Sequence, residues 1–244
     1  MSKKFILFIV EGKNDEREID AILHSPYFSK YLELYEPRFI STGGDITTEI
    51  EKNKKGRKET NIIAKLNKLV LEFRRSGLDF CNVLPRDIQE IVQIVDMDGA
   101  FIPDENVCYG GTKYFEYTDE NIITQNVDGA IGRNRKKAEI LRKLIQTKLV
   151  DNIPYSVYFA SCNMDHLLFG NRHLRPYEKN NSAMDFGVKL KEHPERLSES
   201  IFKQGIMSEG TYEESWEEIQ EDCRSLERRT NINLFLGDGA KNPK

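Results

Sequence analysis

The run Phe5-Ile6-Leu7-Phe8-Ile9-Val10 constrains the fold more than any other feature of the sequence. Six consecutive apolar residues, β-branched or aromatic for the most part, leave no polar face to turn toward water. A strand made from them must be covered on both sides, as in the parallel sheet of an α/β fold. This is the longest apolar run in the chain and too short to span a bilayer. It follows Lys3 and Lys4, as the apolar core of a leader would. However, it runs straight into Glu11 with no small-residue cleavage site. A cytoplasmic protein without a membrane segment is expected.

The rest of the chain supplies the partners of that strand. Gly12 permits a sharp turn, and Asn14 or Asp15 is placed to cap a helix over residues 14–23, with Ile19, Ile22 and Leu23 inward. Residues 37–41 form a weaker strand ending in Thr42-Gly43-Gly44-Asp45, a loop suited to unusual backbone angles. Ile62, Leu66, Leu69, Val70 and Phe73 share one stripe of a helix over 61–76, which Gly77 ends. Residues 91–95, Ile-Val-Gln-Ile-Val, read as a second buried strand entering Asp96-Met97-Asp98-Gly99. The order β-α-β-α-β predicts a mostly parallel sheet with helices on its faces.

Past residue 100 the pattern loosens. Residues 113–117 suggest a strand. Residues 134–149 suggest a helix with Ala138, Leu141, Leu144, Ile145 and Leu149 inward. A strand over 155–160 leads into Ser161-Cys162-Asn163-Met164-Asp165-His166. From about residue 172 the chain reads as polar and helical, with an acidic and solvated helix near 213–222 and a short strand at 232–236. The expected organisation is an α/β domain with insertions over residues 1–170, and a mainly helical C-terminal elaboration over 171–244 packed on it. At 244 residues the chain is long enough to bury a substantial core.

The formal net charge of −4 argues against nucleic-acid binding through global positive charge, but leaves room for local basic patches. Two such patches stand out. Lys52, Lys54, Lys55, Arg57 and Lys58 precede the second helix, and Arg133, Arg135, Lys136 and Lys137 open another, whose N-terminus also suits phosphate. Ordinary solvated surface accounts for both segments as well. Cys81, Cys108, Cys162 and Cys223 are scattered without zinc-ligand spacing and are expected as free thiols.

Chemistry in an open parallel sheet sits outside the carboxyl ends of its strands. The first strand ends in Glu11, and the strand over 91–95 ends in Asp96 and Asp98. Side-chain alternation turns Asp96 and Asp98 to one side and Met97 to the other. If the two strands are neighbours, three acids converge, and either a hard cation such as Mg²⁺ or a raised pKa relieves their repulsion. Asp-x-Asp-Gly is equally good turn chemistry, so both readings stand at this point.

Ile9-Val10-Glu11-Gly12-Lys13-Asn14-Asp15, followed two βα units later by Ile94-Val95-Asp96-Met97-Asp98-Gly99, resembles a Toprim domain. That is the metal-binding module of topoisomerases, primases, small-RNA maturation nucleases and OLD-type nucleases. The family pattern is a Glu ending the first strand, often as Glu-Gly-x-x-Asp, and an Asp-x-Asp ending a later one. The loop at Gly43-Gly44 matches as well. Within the family, Ser161-Cys162-Asn163-Met164-Asp165 is similar to the Ser-Asn-Pro-x-Phe-Glu element of RloB-type abortive-infection proteins, although Pro and Phe are missing and Asp replaces Glu. The long separation of Glu11 from Asp96 implies a lengthened loop near residues 49–59 or 76–90.

The resemblance implies a Toprim-like (Rossmann-like) sheet and Mg²⁺- or Mn²⁺-dependent phosphodiester cleavage of DNA or RNA, with a role in phage defence. Asp96 and Asp98 would bind metal, and Glu11 would serve as catalytic acid or base, or as a further metal ligand. Asp15 and Asp165 are candidate additional acids, with helix capping and a turn as their alternative roles. Lys54, Lys55, Arg57, Arg133, Arg135, Lys136 and Lys137 would contact nucleic acid. A protein partner or a second copy of the chain is also compatible. No tyrosine has the setting of a topoisomerase nucleophile and no zinc ribbon marks a primase, so a nuclease is favoured. The segment Val95-Asp96-Met97-Asp98-Gly99 also resembles the first motif of haloacid-dehalogenase phosphatases, with Asp96 as nucleophile. That family places its nucleophile on the first strand. A third reading is a non-catalytic Toprim-like binding module. His166 and His173 are either metal ligands or structural.

Overall fold

The computed structural model describes residues 3–48, 61–76, 83–111 and 114–237. In chain order its elements are β1 (Lys4–Val10), α1 (Lys13–Leu23), α2 (Ser29–Leu34), β2 (Tyr35–Ser41), α3 (Ile62–Ser76) and β3 (Ile88–Asp96). There follow β4 (Val107–Tyr109), β5 (Glu116–Tyr117), β6 (Ile122–Thr124), α4 (Val127–Gln146), β7 (Leu149–Val150) and β8 (Ile153–Ser161). The chain continues through α5 (Met164–Phe169), α6 (Pro176–Glu192), α7 (Tyr212–Glu218), β9 (Arg229–Thr230) and α8 (Ile232–Leu236).

The main sheet has the order β2-β1-β3-β8-β7, with β9 also on β8. The pairings β1–β2, β1–β3 and β3–β8 are parallel, while β7 and β9 run antiparallel to β8. It is thus a mixed, mostly parallel α/β sheet flanked by helices. Among the described residues, no helix is long and apolar enough to cross a membrane.

Alternation along the strands explains why the apolar runs are continuous. Leu7 and Ile9 of β1, Ile91 and Val95 of β3, and Val157 and Phe159 of β8 pack on one face against α3 and α4. Ile6, Phe8, Val10, Val92, Ile94 and Ala160 pack on the other, against α1, α5 and α6. Residues Ile6 to Val10 are each at most 1% exposed. Burying a side chain of this size contributes roughly 1.5–3 kcal/mol. On the second face α1 and α6 approach closely, because a Cβ on Gly187 would stand only 3.5 Å from the Cβ of Ala21.

Several local expectations shift. The N-cap of α1 is Gly12 rather than Asn14 or Asp15, and Asp15 instead accepts the Gly12 N–H through Oδ2 at 2.7 Å. The helix expected from residue 134 begins at Val127, where Asn126 caps it by accepting the Gly129 N–H at 3.1 Å. Gly129 and Gly132 lower the intrinsic helix preference of that first stretch, which hides it from a periodicity reading. Of the described part of the expected strand 113–117, only Glu116–Tyr117 forms. It joins β4 and β6 in a separate small sheet of order β4-β6-β5. Residues 232–236 are the helix α8, since four apolar residues and one Asn in so short a segment do not distinguish helix from strand. The acidic α7 is not solvated all round. Its Trp216 is 1% exposed, stacks edge-on against Phe159 at 5.0 Å and donates Nε1–H to the Val157 carbonyl. Gly77 and Lys113 lie outside the described residues.

The short helix α5 is tied to the end of β8 by two local bonds. Asn163 caps it by accepting the His166 N–H at 2.9 Å, and the His166 ring accepts the Cys162 N–H at Nδ1, 3.1 Å away. An acceptor at Nδ1 requires the neutral imidazole. Burial pushes the His166 pKa down from 6.5 to about 4, aided by the positive charges of Arg172 and Arg228. The folded chain therefore binds this proton less readily than the unfolded chain does. The contribution of His166 to stability is complete above about pH 6.5 and declines as the pH falls toward 4. Thermal melts across this window should show that decline. In His166→Asn, whose amide oxygen can accept the Cys162 N–H without titrating, the dependence should flatten. An unchanged pH profile in the variant would contradict this assignment.

Candidate functional site

Strand β1 lies between β2 and β3. The crossover through α1 packs on one face of the sheet and that through α3 on the other, so the strand order reverses at β1. A crevice at such a reversal, outside the carboxyl ends of the strands, is where ligands bind in folds of this kind. Each of the three strands delivers acid there.

Glu11 follows β1 directly, and its Oε1 accepts the backbone N–H of Asp96 at 3.4 Å. The loop after β2 is laced to the same strand end. The Thr42 N–H donates to the Val10 carbonyl and the Gly44 N–H to that of Glu11, each at 3.0 Å, with Gly43 at φ +77°. This lacing carries Asp45 to the site, where Oδ1 accepts the Thr47 N–H at 2.8 Å.

Asp96 ends β3, and its Oδ1 accepts the Met164 N–H at the start of α5, 2.9 Å away. Asp98 lies beyond the strand at φ +48°, so the alternation that would align it with Asp96 no longer applies. Its N–H donates to the Cys162 carbonyl at 2.8 Å. Gly99 at φ +73° completes the turn, and a Cβ there would lie 2.9 Å from both Ile122 and Leu226. Met97 is fully buried in the core, as expected.

Lys137 lies at the centre of the cluster. It was expected to contact nucleic acid from the protein surface, but it is fully buried. Its Nζ donates to Asp45 Oδ2 and Asp98 Oδ2, both at 2.9 Å. Burial alone would lower its pKa, yet Asp98, Glu11 and Asp45 together hold it above the ordinary lysine value. Arg133, one turn earlier on α4, is also drawn inward. It donates Nη2–H to the Asp98 carbonyl at 2.8 Å and Nη1–H to the Tyr117 hydroxyl at 3.1 Å, and its guanidinium lies over the Phe115 ring. Arg135 is paired with Asp104, and Lys136 lies beside it, half-buried. The four residues therefore do not form one basic patch. They also sit well inside α4 rather than at its N-terminus. Lys54, Lys55 and Arg57, with Lys52 and Lys58, lie outside the described residues.

The acids answer to this environment. Burial pushes Glu11 up to about 8. Lys137 opposes that shift, while Asp45, Asp98 and Asp15 add to it. Burial and the neighbouring Glu11 raise Asp96 well above the usual carboxylate range. For Asp45 burial acts upward, but Lys137 and the bonds from Thr47 outweigh it and hold the group low. A second acidic group adjoins on the α1 side. Asp15 is pushed up to about 6, chiefly by burial, with the Gly12 N–H opposing. Asp165 pairs with Lys179 of α6. Glu18 is 1% exposed and neither carboxylate oxygen has a hydrogen-bond partner, so burial raises its pKa strongly.

Sequence reasoning missed Asp45 and the inward role of Lys137. The only local signal for Asp45 was its place after Gly43-Gly44 at a strand end. For Lys137 there was a charged residue next to Ala138 on the apolar stripe of its helix. His166 makes the bonds described above, and His173 stacks on Tyr117 at 6.0 Å. Cys108, Cys162 and Cys223 are free thiols, while Cys81 lies outside the described residues.

As donors, Glu11, Asp96 and Asp98 supply hard carboxylate oxygens of the kind Mg²⁺ takes. With Asp45 they outnumber the one ammonium among them, and burial, with the neighbouring acids adding to it, raises Glu11 and Asp96. Among the described residues, no three His, Cys, Asp or Glu side chains stand ready around a common point, because Lys137 itself bridges Asp45 and Asp98. No protein-family model, curated protein or solved structure matches the chain.

Removing one partner of a buried ion pair leaves the other charge uncompensated, at a cost of about 3–5 kcal/mol. Lys137→Met should therefore lose about that much stability at neutral pH, read from the urea midpoint. An unchanged midpoint would mean that the ammonium does not hold the cluster together.

Proposed function

We propose that the chain is a Toprim-like, divalent-metal-dependent nuclease that hydrolyses phosphodiester bonds in DNA or RNA. The observation that carries this reading is the meeting of Glu11 and Asp96, 85 residues apart, at the carboxyl ends of neighbouring parallel strands. Asp98 and Asp45 are fastened beside them. Glu11, Asp96 and Asp98 are the residues that would hold Mg²⁺ or Mn²⁺. When bound, the ion supplies Lewis-acid stabilisation of charge developing on a phosphate oxygen and makes a bound water more acidic.

The remaining groups position and hold. Lys137 keeps Asp45 and Asp98 at fixed separation and offsets part of the negative charge that would repel a phosphodiester. Arg133 fixes the Asp98 backbone through its carbonyl, so that the turn carrying the carboxylate does not drift. The Met164 N–H fixes the orientation of the Asp96 carboxylate. Glu11 is placed as the general acid or base because its second carboxylate oxygen is not committed to the Asp96 N–H.

Glu11→Gln and Asp98→Asn should each reduce Mg²⁺-supported cleavage of a mixed DNA and RNA substrate panel by about 100-fold or more, with the far-UV spectrum unchanged. A chelator should abolish cleavage and added Mg²⁺ should restore it. Wild-type rates in both variants would overturn the assignment. Turnover of a phosphomonoester that is lost in Asp96→Asn, with no action on polynucleotides, would move the site to haloacid-dehalogenase chemistry.

A further inference from the structure

At the end of α5 away from the acids, the C-terminal segments enclose an open cavity of about 650 Å³. That volume lies within the range of sites for small ligands. Its floor is apolar, formed by Leu168, Phe169 and Phe186, with the two phenyl rings edge to face at 5.7 Å. Its walls carry Arg196, Lys203 and Arg228 against a single acid, Glu199. Among the described residues none of the three cations forms an ion pair.

Arg228 is the most constrained of the three. Its Nε and Nη2 both donate to the Leu167 carbonyl, at 3.0 and 2.7 Å, which fixes the plane of the guanidinium. Desolvation holds its pKa below the ordinary arginine value. A half-buried cation in fixed orientation with no counterion is stabilised by any anion that enters. Arg196 and Lys203 are exposed members of the same lining.

We propose that this cavity binds a nucleoside phosphate, with the base and sugar on the Leu168, Phe169 and Phe186 floor and the phosphate on Arg196, Lys203 and Arg228. The lining offers two chemistries, aromatic and cationic, and one ligand that carries both satisfies it. A bare inorganic anion leaves the aromatic floor uncovered, and an uncharged ring leaves the cations unpaired. Three cations facing one acid leave a net of two positive charges, which matches a phosphomonoester at about −1.5 to −2 near pH 7. The ligand is either a free mononucleotide or the 5′-phosphorylated end of a strand. The assignment stands whether or not the carboxylate cluster is a nuclease centre.

Calorimetric titration of the full chain in a chelator, which keeps metal-bridged binding at the acids out of the reading, tests this. The probes are AMP, adenosine, inorganic phosphate, and a short oligonucleotide with and without a 5′-phosphate. AMP should bind at least tenfold more tightly than adenosine or phosphate. The Arg196→Ala/Lys203→Ala double variant, altered only at exposed positions, should weaken AMP binding by at least tenfold. Glu11→Gln should leave it unchanged. Binding of the 5′-phosphorylated oligonucleotide but not its 5′-hydroxyl form identifies a strand end as the source, and binding of AMP alone identifies the free nucleotide. The proposal fails if AMP does not bind at millimolar concentration, if phosphate binds as tightly as AMP, if the double variant binds normally, or if Glu11→Gln abolishes binding.

Discussion

The ammonium of Lys137 is sealed from water, and its two direct partners are carboxylates that arrive on different loops. A buried charge persists only where opposite charge and hydrogen bonds replace its lost hydration. Asp45 and Asp98 supply both, so the loop after β2, the turn after β3 and the helix α4 are locked to one another through a single nitrogen. Arg133 and Lys137 lie four residues apart on the same face of α4, and both bind the Asp98 residue, one through its carbonyl and one through its carboxylate. Without that helix face, Asp45 and Asp98 would lose the one ammonium bonded to both of them.

Even with Lys137 in place the opposition is incomplete. Glu11 and Asp96 remain buried next to other acids and are driven upward in pKa. On the other side of β1, Asp15 and Glu18 repeat the pattern beside Lys179 and Asp165. Concentrating desolvated carboxylates in this way costs stability at that point, because each is held where its charged form is disfavoured. The short helix α5 stands between this cluster and the basic cavity. Its first N–H holds Asp96, its ring at His166 holds the end of β8, and its Leu167 carbonyl holds Arg228. One six-residue helix thus touches both the acid cluster and the basic cavity.

The central strands, the helices at 13–23 and 62–76, and the acids at the strand ends were legible because each is written in a few neighbouring residues. The apolar run at Phe5 and the run at Ile91 needed no partner to be read as doubly covered strands. The start of α4 was missed because Gly129 and Gly132 mask it. The 232–236 segment was misread because five residues, four of them apolar, are too few to show a period. The small sheet of β4, β5 and β6 escaped because strands of two or three residues exist only through their pairing. Arg133, Arg135, Lys136 and Lys137 looked like one patch in sequence, but a helix turns consecutive residues about 100° apart, and α4 sends two of them inward.

By itself the sequence determined that the chain folds as an α/β protein around buried strands, and that Glu11 and Asp96 sit at strand ends with Asp98 in the turn that follows. Hydrophobic alternation and turn chemistry act over a handful of residues, and a linear reading captures them. Tertiary structure alone decided which acids meet, that Asp45 joins them, and that Lys137 is their counterion rather than a surface contact. Those outcomes rest on contacts between residues 39 and 92 positions apart. They form only once strand order has set which loops face one another, and no local pattern encodes that distance.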